Sequence, residues 1–157
     1  TPSIQAEVLS VGSETKNPVI AVAKMVEEQP VLVIYELDRN NQYYFKVLHS
    51  VSLHNKVKTM NLAKEHNGIW VQLEKGKWAL FSDALEVVKE RKDAPPDVTT
   101  SRNPFSQEKG GFISLPDHIR LDLSGKSVEP NEIHSISEDD SLWMVVFEKD
   151  LVLARSQ

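Results

Sequence analysis

Asn67-Gly68-Ile69-Trp70-Val71-Gln72-Leu73-Glu74-Lys75-Gly76-Lys77-Trp78-Ala79-Leu80-Phe81 reads as a β-hairpin. Asn67-Gly68 breaks whatever precedes it. Ile69 to Glu74 runs in β-forming residues, and Lys75-Gly76 offers a two-residue turn in which Gly tolerates positive φ. Such a turn sets Glu74 against Lys77, Leu73 against Trp78, Val71 against Leu80 and Trp70 against Phe81. Alternate side chains point to opposite faces. Ile69, Val71, Leu73, Trp78 and Leu80 then share one face, with Trp70 and Phe81 on the reverse. Cross-strand pairs of these kinds contribute about 0.2–1 kcal/mol each. The more apolar face, carrying Trp78, is the expected core side, and the two tryptophans fall on opposite faces.

The chain has 157 residues, the size of one domain. The reading is a single β-rich domain over 1–157 with a long proline-containing loop at 93–111. It has no cysteine, which excludes disulfides, thiolate metal sites and cysteine nucleophiles. A net charge of −5 without a basic stripe argues against a nucleic-acid partner. No apolar run reaches the roughly 18 residues that span a bilayer. The sequence begins at Thr1 rather than Met, which reads as a processed or trimmed chain. The compartment reading leans extracytoplasmic, in the cell envelope or secreted.

Outward from the hairpin, Ile4 to Val11 reads as a strand. In Val19 to Val26, Asn17-Pro18 favours a helix start while the β-branched content favours a strand, and the strand is preferred. Val31 to Leu37 and Gln42 to Ser50 form a second hairpin around Asp38-Arg39-Asn40-Asn41, with Tyr35 against Tyr44 and Ile34 against Phe45. Both its faces are apolar, so it is expected at the centre of a sheet. Lys56 to Ala63 fits helix or strand. Ser82 to Lys92 is the best helix candidate, with Asp83 and Glu86 at capping-box spacing and Pro95-Pro96 beyond its end.

Asp93 to Gly111 holds three of the eight prolines and no periodicity. It reads as a mobile loop without regular structure, whose one large apolar residue is Phe105. Phe112 to Leu115 and Ile119 to Leu123 follow as short strands, with a turn at Ser124-Gly125-Lys126. Then SISEDDSLWMVVFEKDLVLAR repeats the layout of NLAKEHNGIWVQLEKGKWALF: short strand, polar turn, strand with Trp, Glu-Lys turn, closing strand. Trp143 stands in the place of Trp70. In pattern, these units resemble the blades of a β-propeller, whose repeats are short antiparallel meanders. About three such units are present, whereas propellers close with at least about four. The fold class expected is mainly β, antiparallel hairpins in a meander with propeller-blade-like units and one or two short helices. An α+β fold is the alternative.

Signatures of chemistry are weak. The five histidines, His49, His54, His66, His118 and His134, lack metal-ligand spacing and read as surface or strand-end residues. Glu138-Asp139-Asp140 and Asp38-Arg39-Asn40-Asn41-Gln42 lack the glycine of calcium loops and read as solvated turns. Gly125-Lys126-Ser127 lacks the earlier glycine of a phosphate loop, since Arg120 stands there. Asp117-His118 with a distant serine is too common a combination to define a triad. No metal and no cofactor are expected. The aromatic residues Trp70, Phe81, Phe105 and Trp143 are the candidate binding residues, because such rings anchor interfaces. The leading reading is a non-catalytic binding or regulatory module with a protein partner, the soluble part of a bacterial envelope-associated protein. The alternatives are a hydrolase-like enzyme with a site assembled from loop His, Asp and Glu residues, and a structural module of a larger assembly.

Overall fold

Gln5–Ser10 (β1), Val19–Val26 (β2), Gln29–Asp38 (β3) and Tyr44–Ser52 (β4) form an antiparallel meander in that order, sheet I of the computed structural model, which describes residues 4–64 and 67–157. β2 and β3 are unbroken apolar runs because both of their faces are covered. Ala21, Ala23, Leu32 and Ile34 enter one core cluster, while Ile20, Val22, Val33, Tyr35 and Leu37 enter another. That double burial makes Val19–Val26 a strand, as its β-branched residues indicate.

Val57–Ala63 (β5), Gly68–Leu73 (β6), Trp78–Ser82 (β7) and Val87–Arg91 (β8) repeat the meander as sheet II, and Val98–Thr99 (β9) returns to the free edge of β5. Ser106–Gln107 (β10), Phe112–Leu115 (β11) and Ile119–Asp122 (β12) make sheet III. Glu132–Ser135 (β13), Leu142–Val146 (β14) and Leu151–Arg155 (β15) make sheet IV. The protein is therefore mainly β and antiparallel, and none of the four sheets closes on itself.

The core clusters fix the order of layers as II, I, IV, III. Met60, Ile69, Val71 and Phe81 of sheet II meet one face of sheet I. Met144 and Val146 of sheet IV meet the other. Trp143 and Val145 point away from sheet I, onto Ile113, Leu115 and Leu121 of sheet III. Trp70, Trp78 and Leu80 form a small cluster on the far face of sheet II with Ala63 and Val98. β1 lies beside both β5 and β13, so the first strands of three sheets gather together.

Several expectations are corrected. Among the described residues there is no α-helix, only 3-10 turns at Arg39–Asn41, Lys109–Gly111 and Pro116–His118. In Ser82 to Lys92 the cap is real but closes a turn: the Ser82 hydroxyl accepts from the N–H groups of Ala84 and Glu86, both at 3.2 Å. Leu85 takes a φ of +60°, and the chain leaves as β8 along the edge of β7. Lys56 to Ala63 resolves to strand β5.

The opening hairpin forms with its register displaced by one residue. Ile69 faces Phe81, Trp70 faces Leu80, Val71 faces Ala79 and Gln72 faces Trp78. The turn is wider than the two residues Lys75-Gly76: the last pair is Gln72 with Trp78, Leu73 still pairs with Val57, and the Glu74 N–H donates to Lys56 C=O at 2.9 Å. Trp70 and Trp78 consequently share a face instead of lying on opposite ones. Alternation pins a register only where one face is polar, and here both are apolar. Gly68 fits the tight approach to β7, where a Cβ would lie 2.7 Å from the Phe81 carbonyl oxygen.

In the second hairpin Phe45 pairs with Leu37 and Tyr44 with Asp38, not with Ile34 and Tyr35. The Asp38 side chain accepts from Asn40 N–H at 3.1 Å and its C=O accepts from Tyr43 N–H at 2.7 Å, so β3 runs on through Asp38. Leu48 is bulged out of the ladder, and β4 is an edge strand although β3 is central. Tyr35 and Phe45 still meet edge to face, 5.5 Å between centroids. Asp93 to Gly111 is likewise more ordered than an irregular loop: it contains β9 and β10, buries Pro95, and is bonded to β1, β5, β11 and β13.

Candidate functional site

Trp70, Phe81 and Trp143 are buried, and Phe105 is half-buried. Trp70 packs with Trp78 and Leu80, and the Lys89 ammonium lies 5.7 Å from its ring centroid. Trp143 is buried against sheet III, its indole N–H donating to the Asp140 C=O at 2.8 Å. Phe105 is half-buried against that same cluster. Phe81 is buried too, but it sits at the base of an open groove.

That groove lies between sheets I and II and holds about 560 Å³. Val51, Leu53, Val71, Leu73, Phe81 and Val87 supply its apolar walls. His54, Lys75, Lys77 and Glu90 stand among its polar lining. β4 and β8, the last strands of their meanders, carry exposed Tyr44, Val47, Val87 and Val88. Leu48 in β4 and Val88 in β8 are each bulged, which interrupts the open edge as native edge strands commonly do.

A second groove of about 540 Å³, between sheets I and IV, contains Glu14, Arg39, Glu138 and Asp139. Its acidic loop serves the fold. The Ser141 hydroxyl donates to Asp139 Oδ1 at 2.6 Å, and Ser141, followed by Ser137, holds the Asp139 carboxyl below the usual aspartate range. Asp140 Oδ1 accepts from Ser135 at 2.6 Å while its C=O seats Trp143. Among the described residues no three His, Asp or Glu side chains are placed to hold a metal ion. His49, His54 and His118 are exposed, and His66 lies outside the described residues.

His134 is a correction: it is fully buried, at the centre of a polar chain. Its Nδ1 is 2.7 Å from Ser101 Oγ and its Nε2 is 2.8 Å from Glu132 Oε1. Ser101 Oγ also contacts Glu7 Oε2 at 2.8 Å and accepts from Val8 N–H at 2.8 Å. Glu7 takes two more bonds, from Ser101 N–H and the Thr100 hydroxyl, both at 2.7 Å. These residues come from three distant stretches, so no motif spacing joins them. The signal available was narrower: Glu7 stands inside an apolar strand, and Glu132 and His134, two apart, share a strand face.

No protein-family model matches the chain, and no curated protein matches it.

Proposed function

We propose that the protein is a non-catalytic binding module that takes an extended peptide, apolar and acidic in alternation, into the groove between sheets I and II. The observation that carries this reading is the groove itself: about 560 Å³, walled by aliphatic side chains and Phe81, and open along two edge strands. Lys75, Lys77 and His54 outnumber Glu90 on its lining, a local basic balance in a chain of net charge −5. Alternating side chains of an extended peptide would place apolar groups in the groove and carboxylates by the lysines. The bulges at Leu48 and Val88 interrupt edge pairing, so side-chain burial carries the affinity. Three meanders with first strands side by side and last strands outward resemble blades of a β-propeller, and the groove corresponds to a cleft between two blades.

The chain of Ser101, His134 and the two glutamates does not favour an enzyme. Ser101 Oγ is already engaged by Glu7, His134 and Val8 N–H, which is a fastening rather than a poised nucleophile.

The test is anisotropy of a labelled alternating Leu-Glu decapeptide. Wild type should bind it. Val87→Glu, at an exposed position, should weaken binding at least about tenfold. The double variant Lys75→Glu, Lys77→Glu should prefer a Leu-Lys peptide. Absence of wild-type binding, or binding indifferent to all three substitutions, would overturn the proposal. So would uptake of a small apolar dye without any peptide.

A further inference from the structure

The segment 97–103 runs as a strap across three sheets. β9 pairs with β5 at Ala63↔Val98 and Leu62↔Thr99, Thr100 and Ser101 bond Glu7 of β1, and Asn103 N–H donates to Ile133 C=O of β13 at 2.8 Å. Residues 92–97 lead into it from β8, and topology fixes their path. β8 and β9 are the opposite edges of sheet II, with β7, β6 and β5 between them. β8 ends level with Trp78, whereas β9 begins at Ala63, just past the row of Leu62, Ile69 and Phe81 at the other end of the strands. A path between diagonal corners passes over a face of the sheet rather than around its end. Four strand spacings are about 19 Å. The seven peptide units from Arg91 to Val98 reach at most about 23–25 Å, so the connection has little slack.

The face it crosses is the outer one. The inner face of sheet II packs on sheet I. Arg91 stands opposite Trp78, and its Nε donates to the Asp93 C=O at 2.9 Å, which brings the chain over the tryptophan side as it leaves β8. At the far end Val98 packs in the cluster of Trp70, Trp78 and Leu80. Between these points Pro95 is the one buried residue, while Asp93, Ala94, Pro96 and Asp97 are exposed. Among the described residues no other sheet packs on this face, so covering the two indoles falls to the connection.

Pro95 and Pro96 fix φ and keep the residue before each of them extended, which is the polyproline II geometry that aromatic surfaces bind. Neither proline has an N–H to offer, so side-chain contact seats the middle of the connection. Its bonds are at the ends, from Arg91 to Asp93 and from Lys64 N–H to the Asp97 C=O at 3.2 Å. The middle can therefore lift without breaking a strand pairing. Cations border the rings: the Lys89 ammonium lies 5.7 Å from the Trp70 centroid and Arg91 is opposite Trp78. The connection answers with Asp93 and Asp97 on either side of its prolines. Next to the rings a pit of about 200 Å³, lined by Gly68, Leu80, Val88 and Lys89, is left open.

We infer that the Trp70–Trp78 face is a polyproline-binding platform, held in the free protein by its own Ala94-Pro95-Pro96, and that its partner is a proline-rich segment with acidic flanks. The internal segment is tethered at both ends, so it competes at an effective concentration on the order of millimolar. The partner takes the platform when the connection lifts, and reaches the pit that the internal segment leaves open. This face is the reverse of the one that lines the groove between sheets I and II, and the inference does not rest on that groove.

Anisotropy of a labelled peptide of five prolines with an aspartate at each end tests this. Wild type should bind it weakly. The double variant Pro95→Ser, Pro96→Ser should bind it at least about tenfold more tightly, because the internal competitor is lost. Wild type clipped at Lys92, which frees one end of the segment, should gain affinity in the same direction. Lys89→Glu added to the double variant should reverse most of the gain, by repelling the acidic flanks. The same peptide with serine in place of proline should bind none of these forms. Quenching of tryptophan emission by acrylamide should rise in the double variant and fall again when the proline peptide is added. The inference is overturned if neither the double variant nor the clipped protein binds more tightly than wild type, or if the gain survives Lys89→Glu. Equal binding of the serine peptide overturns it as well, and so does unchanged quenching in the double variant, which would show that Pro95 does not cover the rings.

Discussion

Trp70 and Trp78 lie on the same face of their hairpin, gathered with Leu80 and turned away from sheet I. Ala63 and Val98 pack against them, so the strap that reaches β1 and β13 also covers the outer face of sheet II. Both rings are buried, at 5% and 8% exposure, although no fourth meander stacks on that face.

Trp78→Ala should therefore cost about 3–5 kcal/mol in urea melts, as for other buried aromatics. A loss below about 1 kcal/mol would mean that this face is not a packed layer.

The hairpins were legible as hairpins, and their pairing was not. Chain order, β-branched runs and the doubled Trp layout predict strands at β1, β2, β3, β4, β6, β7, β11, β12, β14 and β15. Register depends on which of two apolar faces meets which layer, and that is decided by sheets I and III, remote in sequence from Trp70 and Trp143. Ser82 to Lys92 misled for a related reason. A serine cap with nearby acids serves a turn as well as a helix, and only the free edge of β7 selects β8. Of the candidate aromatics, Phe81 lines the groove, while Trp70 and Trp143 are buried in other clusters. The buried chain from Glu7 to Glu132 was illegible because its members converge only through the strap.

Glu7→Ala should be among the most damaging polar substitutions. It removes the acceptor of the Ser101 N–H and of two hydroxyls, at a position with no exposure. Thr100 is exposed and Ser101 half-exposed, so water recovers part of what is lost, and a loss of about 2–3 kcal/mol is expected. Arg102→Ala, whose guanidinium is over a third exposed, should cost no more than about 1 kcal/mol. Equal losses at the two positions in chemical denaturation would show that the ion pair, not the hydrogen bonding, carries the contact.

Sheet III should loosen in acid. The Ser114 hydroxyl bonds Glu108 at 2.5 Å and, with the Arg120 guanidinium at 3.0 Å, holds its carboxyl below the usual glutamate range against the opposing effect of desolvation. A carboxyl with a lowered folded-state value contributes stability that is complete above its unfolded value and is lost as pH falls through the folded one. The contribution should thus fade below about pH 4. Glu108→Gln should flatten that part of the acid unfolding curve by giving up the same small contribution at neutral pH. An acid limb of identical steepness in the variant would exclude Glu108 as a source.

Limited trypsin digestion separates the pinned part of residues 93–111 from the rest. Arg91 is held in β8 opposite Trp78, and Arg102 is held in the strap between Glu7 and His134. Lys92 follows the end of β8, and Lys109 sits in an exposed 3-10 turn where Gly110 and Gly111 take φ of +78° and +84°. A protease needs several residues to leave the surface together, which bonded backbone resists. Cleavage should begin at Lys92 or Lys109, with Arg102 cut later. The fragments should stay associated after the first cut, because sheet I packs on sheet IV through Val22, Val33, Met144 and Val146, on opposite sides of either site. The strap holds β1 and β13 together as well. First cleavage at Arg102 would mean that the strap is open much of the time and that its bonds to Glu7 and Ile133 are weak. Separation of the fragments in gel filtration would mean that the contact between sheets I and IV does not hold the two halves together.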